Sequence, residues 1–514
     1  MMPFLLARTK TLRIAFSRSS PVRELALAAL GVLLALPLPS QPAPAPGAPP
    51  APAEPAKPAP LQIHGSIRTR LEMWDWFGGT DASTYAYSGN IVKLSFARNG
   101  KRANGKFELA APILAGLPDD AQLPGVPGQL GLGATYYAAN ARRQNAAMVF
   151  PKQAYLEFHH LGPGENHALK IGRFEFLDGS ETTPKNATLA ALKRTRVFQR
   201  ILGSFAWTHV GRSFDGVHYT WNGKESNVTL IGATPTRGVF QVDGWGWNRV
   251  AFAYGAYTKD FNGTTSSSEL RVFSIVYNDF RDVLKTDSRP LAERRADTEN
   301  IAIASFGGHA MHVANTSAGP ADFLAWGVGQ TGSWGRLDHR AYAVVLEAGF
   351  QPKVLPALKP WLRTGYSRTS GDDNPADGSH NAFFQLMPTP RPYAKFPFYD
   401  MVNNEDRYAT LTLRPHPKLT LVSELHALRL TSRNDLWYLG GGVFQPWTFG
   451  YVGRSGAGAR GLATLIDIGA SIPLHKQFAL EAYYGYANGK GVMRNIYPDG
   501  KNGAFGYLEA TYTF

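Results

Sequence analysis

After Leu61 the chain alternates apolar and polar residues with a period of two, and no apolar run reaches the roughly 18 residues that a membrane-spanning helix needs. Leu61, Ile63, Gly65, Ile67, Thr69 and Leu71 interleave with Gln62, His64, Ser66, Arg68, Arg70 and Glu72. Phe478, Leu480, Ala482, Tyr484 and Tyr486 share one face, as do Thr464, Ile466, Ile468, Ala470 and Ile472. The same pattern centres on Val92, Lys106, Leu156, Leu169, Val217, Leu230, Phe252, Phe273, Ile303, Leu324, Val344, Leu362, Leu411 and Leu421. With the segment from Gly503 this makes about eighteen strands, an even number suited to a single-chain outer-membrane barrel. Lipid touches only alternate residues of such a wall, which accounts for membrane-crossing strands without apolar runs.

The connections support closure. Asn99-Gly100, Gly162-Pro163-Gly164, Asn222-Gly223, Pro415-His416-Pro417 and Pro473 to Lys476 are short turns, whereas the links after Ala111, Phe174, Arg368 and Leu430 are long. Short turns at one rim and long loops at the other describe an antiparallel transmembrane β-barrel, periplasm below and exterior above. In the final strand Leu508, Ala510, Tyr512 and Phe514 alternate with Glu509, Thr511 and Thr513. A last strand that closes on the first leaves no unpaired edge in lipid, and a terminal Phe resembles the signal read by the outer-membrane assembly machinery.

The first 60 residues are different. Residues 1–40 read as a signal peptide: Lys10, Arg13, Arg18 and Arg23 precede an apolar stretch from Leu25 to Leu36, too short to span a bilayer. Pro37 to Pro60 holds 11 Pro in 24 residues, so residues 41–60 form an extended Pro/Ala-rich spacer, and residues 61–514 are the barrel. The chain has no cysteine, which excludes disulfides, thiol nucleophiles and Cys-ligated metal. Its formal charge is +14, with only 18% charged residues, and points to an anionic partner.

Three segments resemble the alginate export family of outer-membrane barrels: Ile63 to Asp75 (IHGSIRTRLEMWD), Leu169 to Phe176 (LKIGRFEF) and Gly211 to Val217 (GRSFDGV). The resemblance implies an eighteen-stranded channel with an arginine-rich interior that passes an anionic polyuronate such as alginate.

The residues make their own case for an anion. Arg68 and Arg70 share the polar face of the first strand with Glu72, and Arg363 has the same inward placement beside Gly365 and Ser367. A guanidinium grips a carboxylate through two parallel hydrogen bonds. The segment from Lys193 to Arg212 carries Lys193, Arg194, Arg196, Arg200 and Arg212 with no acidic residue, in a loop long enough to fold inward and narrow the pore. Strict alternation puts Arg173 on the lipid face, so either Gly172 marks a bulge that turns it inward or it lies at the rim. These nine cations are the candidate substrate-binding residues. The lumen is mixed in sign, since Glu108, Glu157, Glu347, Glu424, Asp467, Glu481 and Glu509 also face inward, against Lys93, Lys106, Lys170 and Arg414.

No catalytic, cofactor or metal motif is expected. His159, His160 and His167 flank a short turn, Asp119-Asp120 and Asp372-Asp373 lie beside Pro or Gly in loops, and Gly440-Gly441-Gly442 lacks a following Lys-Ser/Thr. Nucleic acid is not an expected partner for an exported barrel; outer-membrane lipid and an anionic oligosaccharide, polysaccharide or small anion are. The reading is a passive channel with no enzymatic activity. A secreted β-scaffold enzyme or a surface receptor acting on an acidic polysaccharide remains open from sequence.

Overall fold

The structure, a computed structural model, describes residues 61–389 and 395–514; the expected signal peptide and spacer lie outside them. One antiparallel sheet closes on itself. Of its 20 strands two are the short segments Ala146–Ala147 and Ser379–His380, and the other eighteen form the ring. In chain order these are β1 (Gln62–Asp75), β2 (Thr84–Asn99), β3 (Ala103–Ala115), β4 (Phe150–Leu161), β5 (His167–Phe174), β6 (Phe214–Asn222), β7 (Ser226–Pro235), β8 (Val250–Asn262) and β9 (Ser266–Asp279). They continue as β10 (Ile301–Thr316), β11 (Gly319–Trp334), β12 (Leu337–Phe350), β13 (Trp361–Thr369), β14 (Asn404–His416), β15 (Leu419–Leu430), β16 (Gly461–His475), β17 (Phe478–Gly489) and β18 (Asn502–Thr513). Every centre of alternation found in the sequence falls within one of them.

The seam is β1 against β18, in register from Ser66↔Thr513 to Asp75↔Ala504. Pairing continues into the last residue: Gly65 N–H donates to the Phe514 carbonyl at 2.8 Å, and Phe514 N–H to the Gly65 carbonyl at 2.9 Å. The Phe514 ring lies over Gly65, where any side chain would overlap it. The seam is thereby paired from Gly65 to Asp75, leaving no open sheet edge there, as lipid requires.

Outward positions such as Ile67, Leu71, Ile171, Leu230, Val272 and Leu346 are exposed, forming the apolar belt that faces lipid. Trp245, Trp247 and Trp447 stand exposed on the long loops. Long segments 116–149, 175–213, 370–389 and 395–403, and 431–460 connect strands at one rim, with 236–249, 280–300 and 490–501 between them. Two links depart from the expected asymmetry: Gly335-Arg336 is a tight turn on the long-loop rim, and 351–360 is an extended connection on the other.

The lumen is not an open tube. Residues 175–213, which include helices α1 (Ala187–Arg196) and the chain that follows it, run down inside the barrel, and segments 395–402 and 436–455 pack with them. Inward residues of β7 to β12, among them Ile231, Phe273, Ile275, Leu324, Trp326 and Val345, are buried against Leu189, Leu192, Ile201 and Leu202. The inward face is thus mixed throughout: on β7 to β12 a largely apolar face with a few buried acids receives the plug, while β1 to β5 and β14 to β18 carry more polar inward residues beside their own buried aromatics.

Candidate functional site

The plug begins with a capped helix. The Asn186 side chain accepts from Thr188 N–H at 3.0 Å and Leu189 N–H at 3.2 Å, satisfying two free amides at the N-terminus of α1. Leu189, Leu192, Lys193 and Arg196 then recur on one face and are buried, so helical spacing delivers two leucines and two cations to the wall together. Gln351, in the inner-rim connection, donates to the Thr188 hydroxyl at 3.0 Å, which places the start of α1 towards the periplasmic end.

Each buried cation of this helix meets an acid projecting from a strand. Lys193 Nζ lies 2.8 Å from Glu269 on β9, and burial lowers its pKa. Arg196 reaches Glu347 on β12 at 3.1 Å and Glu424 on β15 at 3.3 Å, and Arg200 reaches Glu347 at 3.2 Å. Arg363 on β13 is 3.3 Å from the same Glu347 and also pairs with Asp322 on β11. Buried charges are costly unless paired, and leaving one partner alone is costlier still. This set therefore fixes the plug in one place.

Farther along, the plug is held by β1. Arg68 donates to the carbonyls of Ala206, at 2.8 Å, and Thr208, while Arg70 donates to that of Trp207 at 2.9 Å. Arg70 also donates to Glu509 at 2.7 Å and is sandwiched between Trp207 and Tyr507, 4.4 and 4.7 Å from their ring centres. His209 Nε2 lies 2.9 Å from Glu72, and burial lowers the His209 pKa to about 4. At the end of the segment Arg212 donates to the carbonyls of Val443, at 3.0 Å, and Gly441.

The candidate residues thus separate. Arg70, Lys193, Arg196, Arg200, Arg212 and Arg363 are buried and engaged by protein, so expecting them to line an anion path is corrected: they lock plug to wall. Arg173 takes the second of its two expected placements. Register runs through Gly172 without a shift, so no bulge turns Arg173 inward, although Gly172 has φ +125°. Arg173 stays on the outward face at the outer rim, bidentate to Asp215 at 2.7 and 2.8 Å. Arg194 projects from the opposite side of α1, exposed, with no hydrogen bond or ion pair among the described residues. Arg68 keeps partial exposure, its side chain 17% accessible.

Water reaches a different set of cations, on the inward face of β2 to β5. Lys106 lies 3.0 Å from Glu108, and Lys170 lies 3.5 Å from Glu157 and over the Tyr155 ring. Lys93 has no ion pair or hydrogen-bonding side-chain partner among the described residues. Lys152 on β4, by contrast, is buried 3.5 Å from Glu175 and donates to the Val210 and Arg212 carbonyls of the plug at 3.1 Å, and it is not evident from alternation. A register shift opposite Glu108 and Leu109 turns both Lys152 and Gln153 inward, and Pro151 is the available signal for that irregularity. Trp207 and His209, in a loop read for its charges, are likewise missed.

Two cavities lie at the ends of the plug. The outer one, about 570 Å³, is lined by Val126, Leu132, Phe205, Phe240, Phe444 and Arg454 among others. Arg454 meets the Gln129 carbonyl at 2.9 Å and the Tyr497 hydroxyl, and burial lowers its pKa. The inner cavity, about 350 Å³, is lined by His64, Ser66, Lys93, Ser95, Glu108 and Thr513. Phe205 lines the first, and the next three residues of the plug hang on Arg68 and Arg70 through their carbonyls.

The alginate export family model matches residues 119–490. Solved structures of similar fold include OccK9 (OpdG) of Pseudomonas aeruginosa, with TM-score 0.54, 11% identity, 88% of this chain and 98% of that chain. The outer membrane protein OpdK of Pseudomonas aeruginosa gives 0.52 and 8% identity, covering 88% and 99%. OccK2 (OpdF) of the same organism, in complex with glucuronate, gives 0.51 and 10%, covering 88% and 96%. No curated protein sequence matches the chain. These likenesses agree with the closed eighteen-strand barrel, and together with the family match they indicate a barrel of the bacterial outer membrane. Since the family model spans well over half of its residues, the chain belongs to the alginate export family.

Proposed function

We propose that the protein is a passive channel for an anionic solute, of the size and charge of a uronate or short oligouronate, with no chemical step. The observation that carries this is the uneven use of cations: six of the nine candidates, Arg70, Lys193, Arg196, Arg200, Arg212 and Arg363, are taken up between plug and wall, while Lys93, Lys106, Lys170 and Arg68 stay within reach of water on one arc of the lumen. Lysine is a compact, hydrated charge that attracts a carboxylate without holding it rigidly, which suits passage. A pair of unit charges about 4 Å apart exchanges about 1 kcal/mol in bulk water and about 4 kcal/mol at the effective dielectric of a protein surface, enough to set the sign of a narrow passage.

The triple variant Lys93→Ser, Lys106→Ser, Lys170→Ser tests the reading. Reversal potentials in a salt gradient should show a reduced anion-to-cation permeability ratio, and the reduction should grow at low salt as screening weakens. Glucuronate as the permeating anion should lose more than chloride. An unchanged ratio would remove these lysines from the path. On the same reading the exposed ring of Phe514 is presented to the assembly machinery; deleting Phe514 should slow insertion, and normal insertion would dissociate the seam from that step.

A further inference from the structure

We propose that Glu424, His426 and Asp467 form a binding site for one divalent metal ion of the zinc class. All three face the lumen. Glu424 and His426 are two apart on β15, and Asp467 on β16 is the direct partner of Glu424 across the ladder. One ligand atom from each lies within 4.8 Å of the other two. Tetrahedral coordination with bonds near 2.1 Å sets neighbouring ligands about 3.4 Å apart, so each donor needs to move inward by less than about 1 Å.

Hydrogen-bond accounting supplies the independent reason. The His426 side chain is fully buried, and its Nδ1 lies 2.7 Å from Asp406 Oδ2. The two ring nitrogens diverge, so Nε2 points away from Asp406 and is free to turn to a metal, and among the described residues it has no hydrogen-bond partner. A buried ring nitrogen without a partner is costly, and here it is neither at a strand end nor near solvent. A carboxylate behind Nδ1 with a free Nε2 in front is the arrangement that orients a metal-binding histidine and raises its basicity. Among the described residues the buried hydroxyl of Tyr399, whose ring centre is 6.3 Å from that of His426, also lacks a hydrogen-bond partner, and so does Asp406 Oδ1. One imidazole nitrogen and two carboxylates form a mixed donor set that suits Zn²⁺ and related ions better than Ca²⁺.

The remaining contacts are compatible with such a ligand. Glu424 accepts from the Thr410 hydroxyl at 3.0 Å and from Arg196 at 3.3 Å, and Asp467 accepts from the Tyr483 hydroxyl at 3.0 Å, each leaving a carboxylate oxygen or lone pair available. Because Arg196 belongs to the plug, a metal on Glu424 would share that carboxylate with the plug's anchor.

The test uses the folded full-length barrel in detergent, stripped with chelator, and Zn²⁺ or Co²⁺ alone as the probe. The expected result is one ion per barrel by elemental analysis, with visible Co²⁺ absorption of a low-symmetry four- or five-coordinate site. His426→Gln and Asp467→Asn should each weaken binding at least tenfold, and Asp406→Asn, behind the ligand, about tenfold. The double variant His159→Gln, His160→Gln, at the exposed turn, should bind as the parent does. Heat-modifiable migration on gels identifies the folded variants; if one ligand variant does not fold, the others and the parent Co²⁺ spectrum decide. No uptake by the stripped parent, or uptake unchanged in His426→Gln and Asp467→Asn, would overturn the proposal.

Discussion

Two arcs of one wall obey the same alternation and end in opposite environments. On β8 to β12 the inward residues are buried and many are apolar, as with Phe273, Ile275, Trp326 and Val345, while the acids among them, Glu269, Asp322 and Glu347, are paired with buried cations. On β2 to β5 they are Lys93, Lys106, Glu108, Glu157 and Lys170, most of them partly accessible to water. The first arc is the inner half of a protein core, with the plug as its other half. The second is the wall of a passage. A barrel interior is therefore not polar by rule; it is polar where water remains and apolar where chain is laid upon it.

The sharpest way to break this division is at Glu347, which receives Arg196 and Arg200 from the plug and Arg363 from the wall. Glu347→Gln leaves three buried guanidiniums short of one carboxylate, and removing one partner of a buried set costs about 3–5 kcal/mol. Denaturation in detergent should occur at lower denaturant, and single-channel conductance should rise as the plug loosens. Unchanged conductance and midpoint would mean that the apolar contacts alone hold the plug.

Leu192→Ala addresses those apolar contacts. Truncating a fully buried leucine costs about 2–5 kcal/mol. Amide exchange in residues 187–202 should accelerate, while the same measurement on Lys170→Ala, from the other arc, should show the parent rate there. Equal acceleration in both would erase the distinction between the arcs.

Strand positions were legible in the sequence because lipid enforces a period of two with no tolerance for error. The plug was less so, for a definite reason. Alternation reports that two faces differ, and on β12 they hardly do: Ala341, Ala343 and Val345 face inward while Tyr342, Val344 and Leu346 face outward. Such a run, apolar on both faces, is the sign of a strand covered on both sides. The charges of Lys193 to Arg212 showed a basic loop, but not that Glu269, Glu347 and Glu424, distant in sequence, would neutralise it. Inward acids and loop cations were both visible; their pairing is tertiary.

The outer loops offer a smaller, pH-dependent effect. Asp435 accepts from Asp372 N–H at 2.9 Å and from the Tyr438 hydroxyl at 2.7 Å. Burial raises the pKa of Asp435 to about 7 and that of Asp372 to about 6; the Asp372 carboxylate adds to the rise at Asp435, and Asp377 and Asp287 add to that at Asp372. A carboxyl group with its folded pKa raised adds stability that is complete below the unfolded pKa, near 4, and is lost as pH rises through the folded value. Between pH 5 and pH 8 the junction of segments 370–403 and 431–460 should therefore loosen. Limited proteolysis at these loops should be faster at pH 8, and Asp435→Asn should flatten the dependence. The division within the lumen should be unaffected, since neither acid touches the lysine arc.

The smallest effect is expected at Arg194, which tests whether the plug contributes any charge to the passage. It lies across α1 from Leu189, Leu192 and Arg196, exposed, and it has no ion pair or hydrogen bond among the described residues. Arg194→Ser should thus leave the denaturation midpoint where it is, in contrast to Glu347→Gln. Its influence on permeation depends on distance and screening, because an exposed charge acts over about 10 Å at 0.1 M salt and about three times as far at 0.01 M. Reversal potentials measured at both salts should show a shift only at the lower one, and less than that of the triple lysine variant. A shift as large as the triple variant's would move the selective step from the wall to the exposed face of α1, and the two arcs would then share the function instead of dividing it.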